Sequence, residues 1–180
     1  DKVKVMIGGA PITQAFADDT AAENGYVNQI GFSYEKEPCW TYQVAGIRVT
    51  RRCAMDFERN TTALTYTVEN RSGHDCKITS EPFCKFAPKE QALEDEKELT
   101  FEGNSITDGR LTCYIHTDGK ITALKKPLWQ EVSYAEDAKD GRPDRGLSAC
   151  CCRILMEAPA GTTVKQAVVF SMEPEALSSE

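Results

Sequence analysis

The chain has 180 residues, 41% hydrophobic and 27% charged, which is enough apolar material for one domain whose core needs neither disulfides nor metal. Its formal charge of -7 repels phosphate backbones and anionic headgroups, so neither nucleic acid nor an anionic membrane is an expected partner. No run of eighteen apolar residues exists, so no helical span is expected; no charged-then-apolar leader opens the chain, but it begins at Asp1 rather than Met, which leaves a removed leader open.

The first segment, residues 1–27, follows α/β grammar. Val3-Lys4-Val5-Met6-Ile7 predicts a strand, Gly8-Gly9-Ala10-Pro11 a turn, and Ile12 to Thr20 a short helix. Backbone amides at such a glycine turn can cradle an acceptor-rich group, but Gly8-Gly9 lacks the spacing of a nucleotide loop.

From residue 30 to residue 176 the pattern changes to antiparallel β. Trp40, Tyr42 and Val44 alternate with polar residues, as do Ile47 to Met55 and Leu64 to Val68. Asn70-Arg71-Ser72-Gly73 predicts a turn before a strand over Cys76 to Phe86. Lys89 to Lys97 is dense in charge and predicts an exposed connection. Leu111 to His116 and Lys120 to Lys125 read as strands joined by a tight hairpin at Thr117-Asp118-Gly119. Ala149 to Met156 and Val164 to Met172 read as the last two strands, joined by Ala158-Pro159-Ala160-Gly161. Nine or ten short strands predict a mainly β, supersandwich-like antiparallel sandwich behind a short strand-turn-helix segment.

Eight cysteines are numerous, and Cys150, Cys151 and Cys152 are consecutive, so the middle one faces away from its neighbours in a strand. They read as reduced, buried thiols, which favours a cytoplasmic protein.

The candidate site is the polar loop Glu136 to Gly146. It holds Glu136, Asp137, Asp140 and Asp144 with Arg142 and Arg145. Its spacing fits no calcium loop, so no metal is expected. The bland reading is a solvated loop with local Arg–Asp pairing, and the sharper one is a loop that contacts a sugar. Trp129 and Tyr134 sit beside it, and aromatic faces stack on sugar rings. Trp40 alternates in phase with Tyr42 and reads as core, whereas Trp129 reads equally as core or as an exposed platform. His74 and His116 lack zinc-ligand spacing and read as surface or strand-end residues.

Two resemblances carry these readings further. Residues 2–27 resemble the end of the cobalamin-binding domain of corrinoid methyltransferase proteins, through Val5-Met6-Ile7-Gly8-Gly9-Ala10-Pro11, Thr13-Gln14, Phe16-Ala17-Asp18 and Gly25-Tyr26. That resemblance would set Gly8 and Gly9 beside the corrinoid tail if cobalamin bound. The family's cobalt-ligating histidine motif has no counterpart, so no cofactor is expected. A corrinoid methyltransferase partner is the alternative it implies.

Residues 30–174 are similar to the N-terminal domain of bacterial glycogen-debranching-type enzymes. The matching residues are Trp40-Thr41-Tyr42-x-Val44-x-Gly46-Ile47-x-Val49 and Asn60-Thr61-Thr62 leading to Tyr66, Val68 and Asn70. Glu81-Pro82-Phe83 and Ser133 to Ala138 also match, while Lys85-Phe86-Ala87-Pro88-Lys89 replaces the family's Arg-Asp-x-His. The resemblance implies a large β-sandwich placed before a helical catalytic toroid that carries the catalytic carboxylates. The expectation is therefore a non-catalytic carbohydrate-associated module, with an α-glucan and a helical catalytic domain or chain as partners. The rival expectations are a corrinoid-associated protein and a structural fragment with no ligand, the latter marked by an exposed apolar face.

Overall fold

A computed structural model describes residues 27–56, 59–87, 91–133 and 138–174. Within them the chain is mainly β, as its alternating pattern predicts. The strands are β1 (Gln29–Tyr34), β2 (Pro38–Val44), β3 (Ile47–Asp56), β4 (Thr61–Asn70), β5 (Cys76–Ser80), β6 (Phe83–Cys84), β7 (Thr100–Glu102), β8 (Ser105–Thr107), β9 (Thr112–Thr117), β10 (Lys120–Ser133), β11 (Arg145–Ala158) and β12 (Thr163–Ser171).

Eight strands form one sheet in the order β1-β2-β3-β4-β12-β9-β8-β7. The smaller sheet runs β10-β11-β5, and β6 also pairs with β11. All pairings are antiparallel. This is the expected sandwich.

The larger sheet turns one face inward. Phe32, Trp40, Arg51, Tyr66 and Gln166 lie opposite one another on successive strands. Trp40 is 2% exposed, which makes it the core residue its phase predicts. The Arg51 guanidinium stacks 4.2 Å above its ring, and Phe32 packs at 5.4 Å between centroids. A cation on an indole face keeps electrostatic stabilisation where water is excluded. Ile78, Ile154 and Met156 of the small sheet join the same apolar cluster.

β11 is the axis of the small sheet. Residues 148 to 152 are all buried, so both faces of this strand are covered there. The three consecutive cysteines thus lie inside, whichever way each side chain points, and all eight cysteines are free.

Three local expectations are corrected. Thr117-Asp118-Gly119 is not a hairpin, because β9 and β10 belong to different sheets. Gly119 lets the chain cross: a Cβ there would strike the Gln166 side chain and approach the Leu155 carbonyl at 3.0 Å. The strand expected over Cys76 to Phe86 is split by Glu81-Pro82, since proline cannot donate to a ladder. The strand expected over Lys120 to Lys125 continues to Ser133 across an irregularity between Ala123 and Leu128, which sets Trp129 inside a strand.

The turn at residues 70–73 does more than reverse the chain. Asn70, 1% exposed, donates from Nδ2 to the carbonyls of His74 (2.7 Å) and Ala158 (2.8 Å). Its Oδ1 accepts from the Ser72 amide and hydroxyl. Its backbone bonds to Thr162 and Gly161. Asn70→Ala leaves buried carbonyls without donors and is expected to cost at least about 2 kcal/mol, read by urea unfolding; a loss below about 0.5 kcal/mol would show that the knot is dispensable. The β2–β3 hairpin has Ala45 and Gly46 both at positive φ (48° and 78°), a backbone that favours Asn-Gly. Ala45→Asn is expected to raise stability by about 0.5 kcal/mol in the same assay.

Candidate functional site

Pro143, in the polar loop before β11, lines one side of an open cleft. Pro143 faces the stretch 91–95 and Lys97 across a space of about 530 Å³. That volume falls in the range of small-molecule sites.

The opposite wall is held from beneath. Leu93 is buried, and its carbonyl accepts the Leu147 amide at 2.7 Å, which ties residues 91–97 to the start of β11. Lys85 Nζ donates to the Gln91 carbonyl at 3.1 Å. Lys97 Nζ donates to the Phe86 carbonyl at 2.7 Å and pairs with Asp108 at 3.5 Å. Glu94 and Asp95 are left exposed toward solvent.

None of the predicted site residues that the structure describes lines this cleft, although Pro143 lies between Arg142 and Asp144 in the loop. Asp140, Arg142, Asp144 and Arg145 are exposed. Arg142 pairs with Asp140 at 2.8 Å, the local pairing expected of a solvated loop. Arg145 opens β11 and lies 3.8 Å from Glu131 of β10. Trp129 is half-buried opposite Ala149. It stands two residues along β10 from Glu131, whose partner across the ladder is Leu147. Tyr134, Glu136 and Asp137 lie outside the described residues, as do Gly8 and Gly9.

Sequence reasoning read residues 89–97 as an exposed connection only. The buried Leu93, flanked by charged neighbours, was the available sign that this stretch docks on the sheet. His116 Nε2 lies 3.1 Å from Asn104 Nδ2 at the strand end, and burial pushes the imidazole pKa down. No cluster of metal-ligating side chains occurs among the described residues. None of their helices is long and apolar enough to cross a membrane.

Residues 8–165 match the family model described as glycogen debranching enzyme N terminal. The chain belongs to that glycogen debranching enzyme N-terminal family. The match covers most of the sandwich and the cleft, as the resemblance of residues 30–174 implied. It also starts at residue 8, inside the segment that resembles a corrinoid domain, and nothing in the comparisons supports that second resemblance. No curated protein matches the chain. Among solved structures, a chain assigned as a kojibiose phosphorylase from human microbiome aligns at a TM-score of 0.40 and 12% identity. The alignment covers 75% of this chain and 17% of that one, so this debranching-type domain spans under a fifth of that protein's length.

Asp108 anchors the cleft wall through Lys97. Amide bonds from Leu111 and Arg110, then Lys97, hold its carboxyl below the ordinary aspartate value. A depressed folded pKa stabilises the fold above the unfolded value, about 3.9, and that stability is lost as pH falls through the folded value. Asp108→Asn should therefore be less stable than wild type at pH 7, with the gap closing below about pH 4. Urea titrations at stepped pH read this directly; a gap that stays constant with pH would refute the assignment.

Proposed function

We propose that this debranching-type domain is a non-catalytic, carbohydrate-associated module. Its cleft contacts an α-glucan, and its sandwich packs against a helical catalytic domain or chain. The family match over residues 8–165 carries the reading. The cleft supports it, because exposed Gln91, Glu94 and Asp95 line it and offer acceptors and donors to sugar hydroxyls.

The same exposure supports a module without its own chemistry. Glycoside hydrolysis uses two carboxyls, one kept protonated by a shielded setting. Glu94, Asp95, Asp140 and Asp144 are exposed rather than enclosed. On the partner side, Ile30 (55%), Phe32 (47%) and Tyr34 (69%) alternate along the edge strand β1 and are exposed. Such an apolar edge suits a packed neighbour. Free thiols throughout support a reducing, cytoplasmic setting.

Tryptophan fluorescence tests the sugar arm. Trp40 is locked in the core, so Trp129 is the reporter. Linear and branched malto-oligosaccharides at millimolar concentration should give a saturable change. Glu94→Ala with Asp95→Ala should weaken it at least about fivefold while Trp129 remains, and Trp129→Ala should abolish the signal. A flat titration in wild type would sink glucan contact at this cleft.

A further inference from the structure

The outermost strand of a sheet presents a row of unpaired amides and carbonyls, which proteins blunt with charge, proline, irregular pairing or short length. Among the described residues, three of the four sheet edges are blunted in these ways. β7 is three residues long and ends in Glu102. β5 is five residues long and carries exposed Lys77. β10 carries exposed Lys120, Lys125 and Lys126 together with Pro127, and its pairing is irregular between Ala123 and Leu128. β1 is the exception. It reads Gln29-Ile30-Gly31-Phe32-Ser33-Tyr34, six residues without a charge or a proline. Its own irregularity lies between Gln29 and Gly31, so its ladder to β2 is regular from Gly31 to Tyr34.

The side chains of β1 are open as well. Phe32 is paired with Trp40 and shares its inward face, and Tyr34 follows two residues on. Phe32 and Tyr34 nevertheless remain 47% and 69% exposed, so the small sheet does not cover this end of the large one.

We propose that β1 pairs antiparallel with β1 of a second copy of this chain across a two-fold axis, joining two eight-stranded sheets into one. Directly paired residues share a face, so an axis perpendicular to the sheet must pass through a residue of β1 rather than between two. An axis through Phe32 sets the two Phe32 side chains against each other. It also sets Ile30 of each copy against Tyr34 of the other, so each exposed apolar residue of the strand gains an apolar neighbour. Moving the axis to Gly31 or Ser33 would instead set Tyr34 against Asn28 or Ile30 against Lys36. With the axis on Phe32, the charges beyond the strand, Glu35, Lys36 and Glu37, fall opposite Gln29, Asn28 and Val27. No like charges therefore meet at the join, although each chain carries a formal charge of -7. One uncharged sequence thus satisfies both sides of the ladder, which is the chemistry of a second copy.

The pairing uses the backbone edge of β1 and does not rest on the glucan reading. The inward faces of Phe32 and Tyr34 stay open to a neighbour packed on the sheet.

Sedimentation velocity of the full chain from about 1 to 300 μM tests the pairing. A single strand-to-strand join is a small interface, so a dimer with a dissociation constant on the order of 10 μM is expected. Tyr34→Lys, which sets an ammonium against Ile30 twice per dimer, should weaken association at least about tenfold. Phe32→Cys should form a disulfide-linked dimer on mild oxidation beyond any seen in wild type, because a residue on the axis meets itself. Ser33→Cys, two residues along the ladder from its counterpart, should not. A wild-type chain that stays monomeric over the whole range overturns the proposal. So does a dimer that Tyr34→Lys leaves intact, or one that Ser33→Cys traps as readily as Phe32→Cys, since either would use another surface. The wild-type and Tyr34→Lys measurements decide even where Phe32→Cys fails to fold. A flat malto-oligosaccharide titration of the same dimer would remove the glucan reading and leave the β1 pairing standing.

Discussion

Asn70 is the point on which the two sheets hang. The chain leaves the large sheet at the end of β4 and enters the small one at β5, and it returns from β11 to β12 at the same place. Both crossings expose backbone carbonyls in the interior, where an unpaired acceptor is costly. One carboxamide answers this need. Its nitrogen serves His74 and Ala158 while its oxygen serves Ser72. Aspartate has the same size but cannot donate, so side-chain chemistry rather than shape decides the position.

A further crossing, at Gly119, is solved by space. The β9–β10 turn presses against Gln166 and Leu155, and its backbone amide bonds to Thr117 Oγ1, which also accepts from Gln166 Nε2 at 3.0 Å. A tight Asp-Gly turn therefore serves as an inter-sheet corner. Together the two corners fix how β11 lies between its neighbours. With both faces of residues 148–152 covered, small side chains suit the strand, and Ala149-Cys150-Cys151-Cys152 supplies them.

The cleft follows from that placement. β11 begins at Arg145, and its third residue, Leu147, carries the bond that docks Leu93. The stretch 91–97 thus borrows its shape from the sheet and needs no regular structure of its own. Lys97 fastens its far end to Phe86 and Asp108.

Much of this was legible in the sequence. Period-two alternation from Trp40 to Val68 announced the large sheet, and the phase of Trp40 announced its burial, because strand geometry alone puts every second residue on one face. Loop chemistry also showed: the Arg142–Asp140 pair is two residues apart and forms locally. What the sequence did not reveal depends on partners distant in the chain. Nothing near Thr117-Asp118-Gly119 tells whether the strands it joins share a sheet, since that is decided by what β12 and β11 press against the turn. Nothing near Leu93 or Trp129 reveals the cleft, because its walls are some fifty residues apart in the chain and meet only on β11. The sequence by itself determined the longer strands of the large sheet, the burial phase of Trp40 and the family, all set by local pattern. Tertiary structure alone decided the sheet crossings and the cleft, because each is a contact between segments that local pattern cannot bring together.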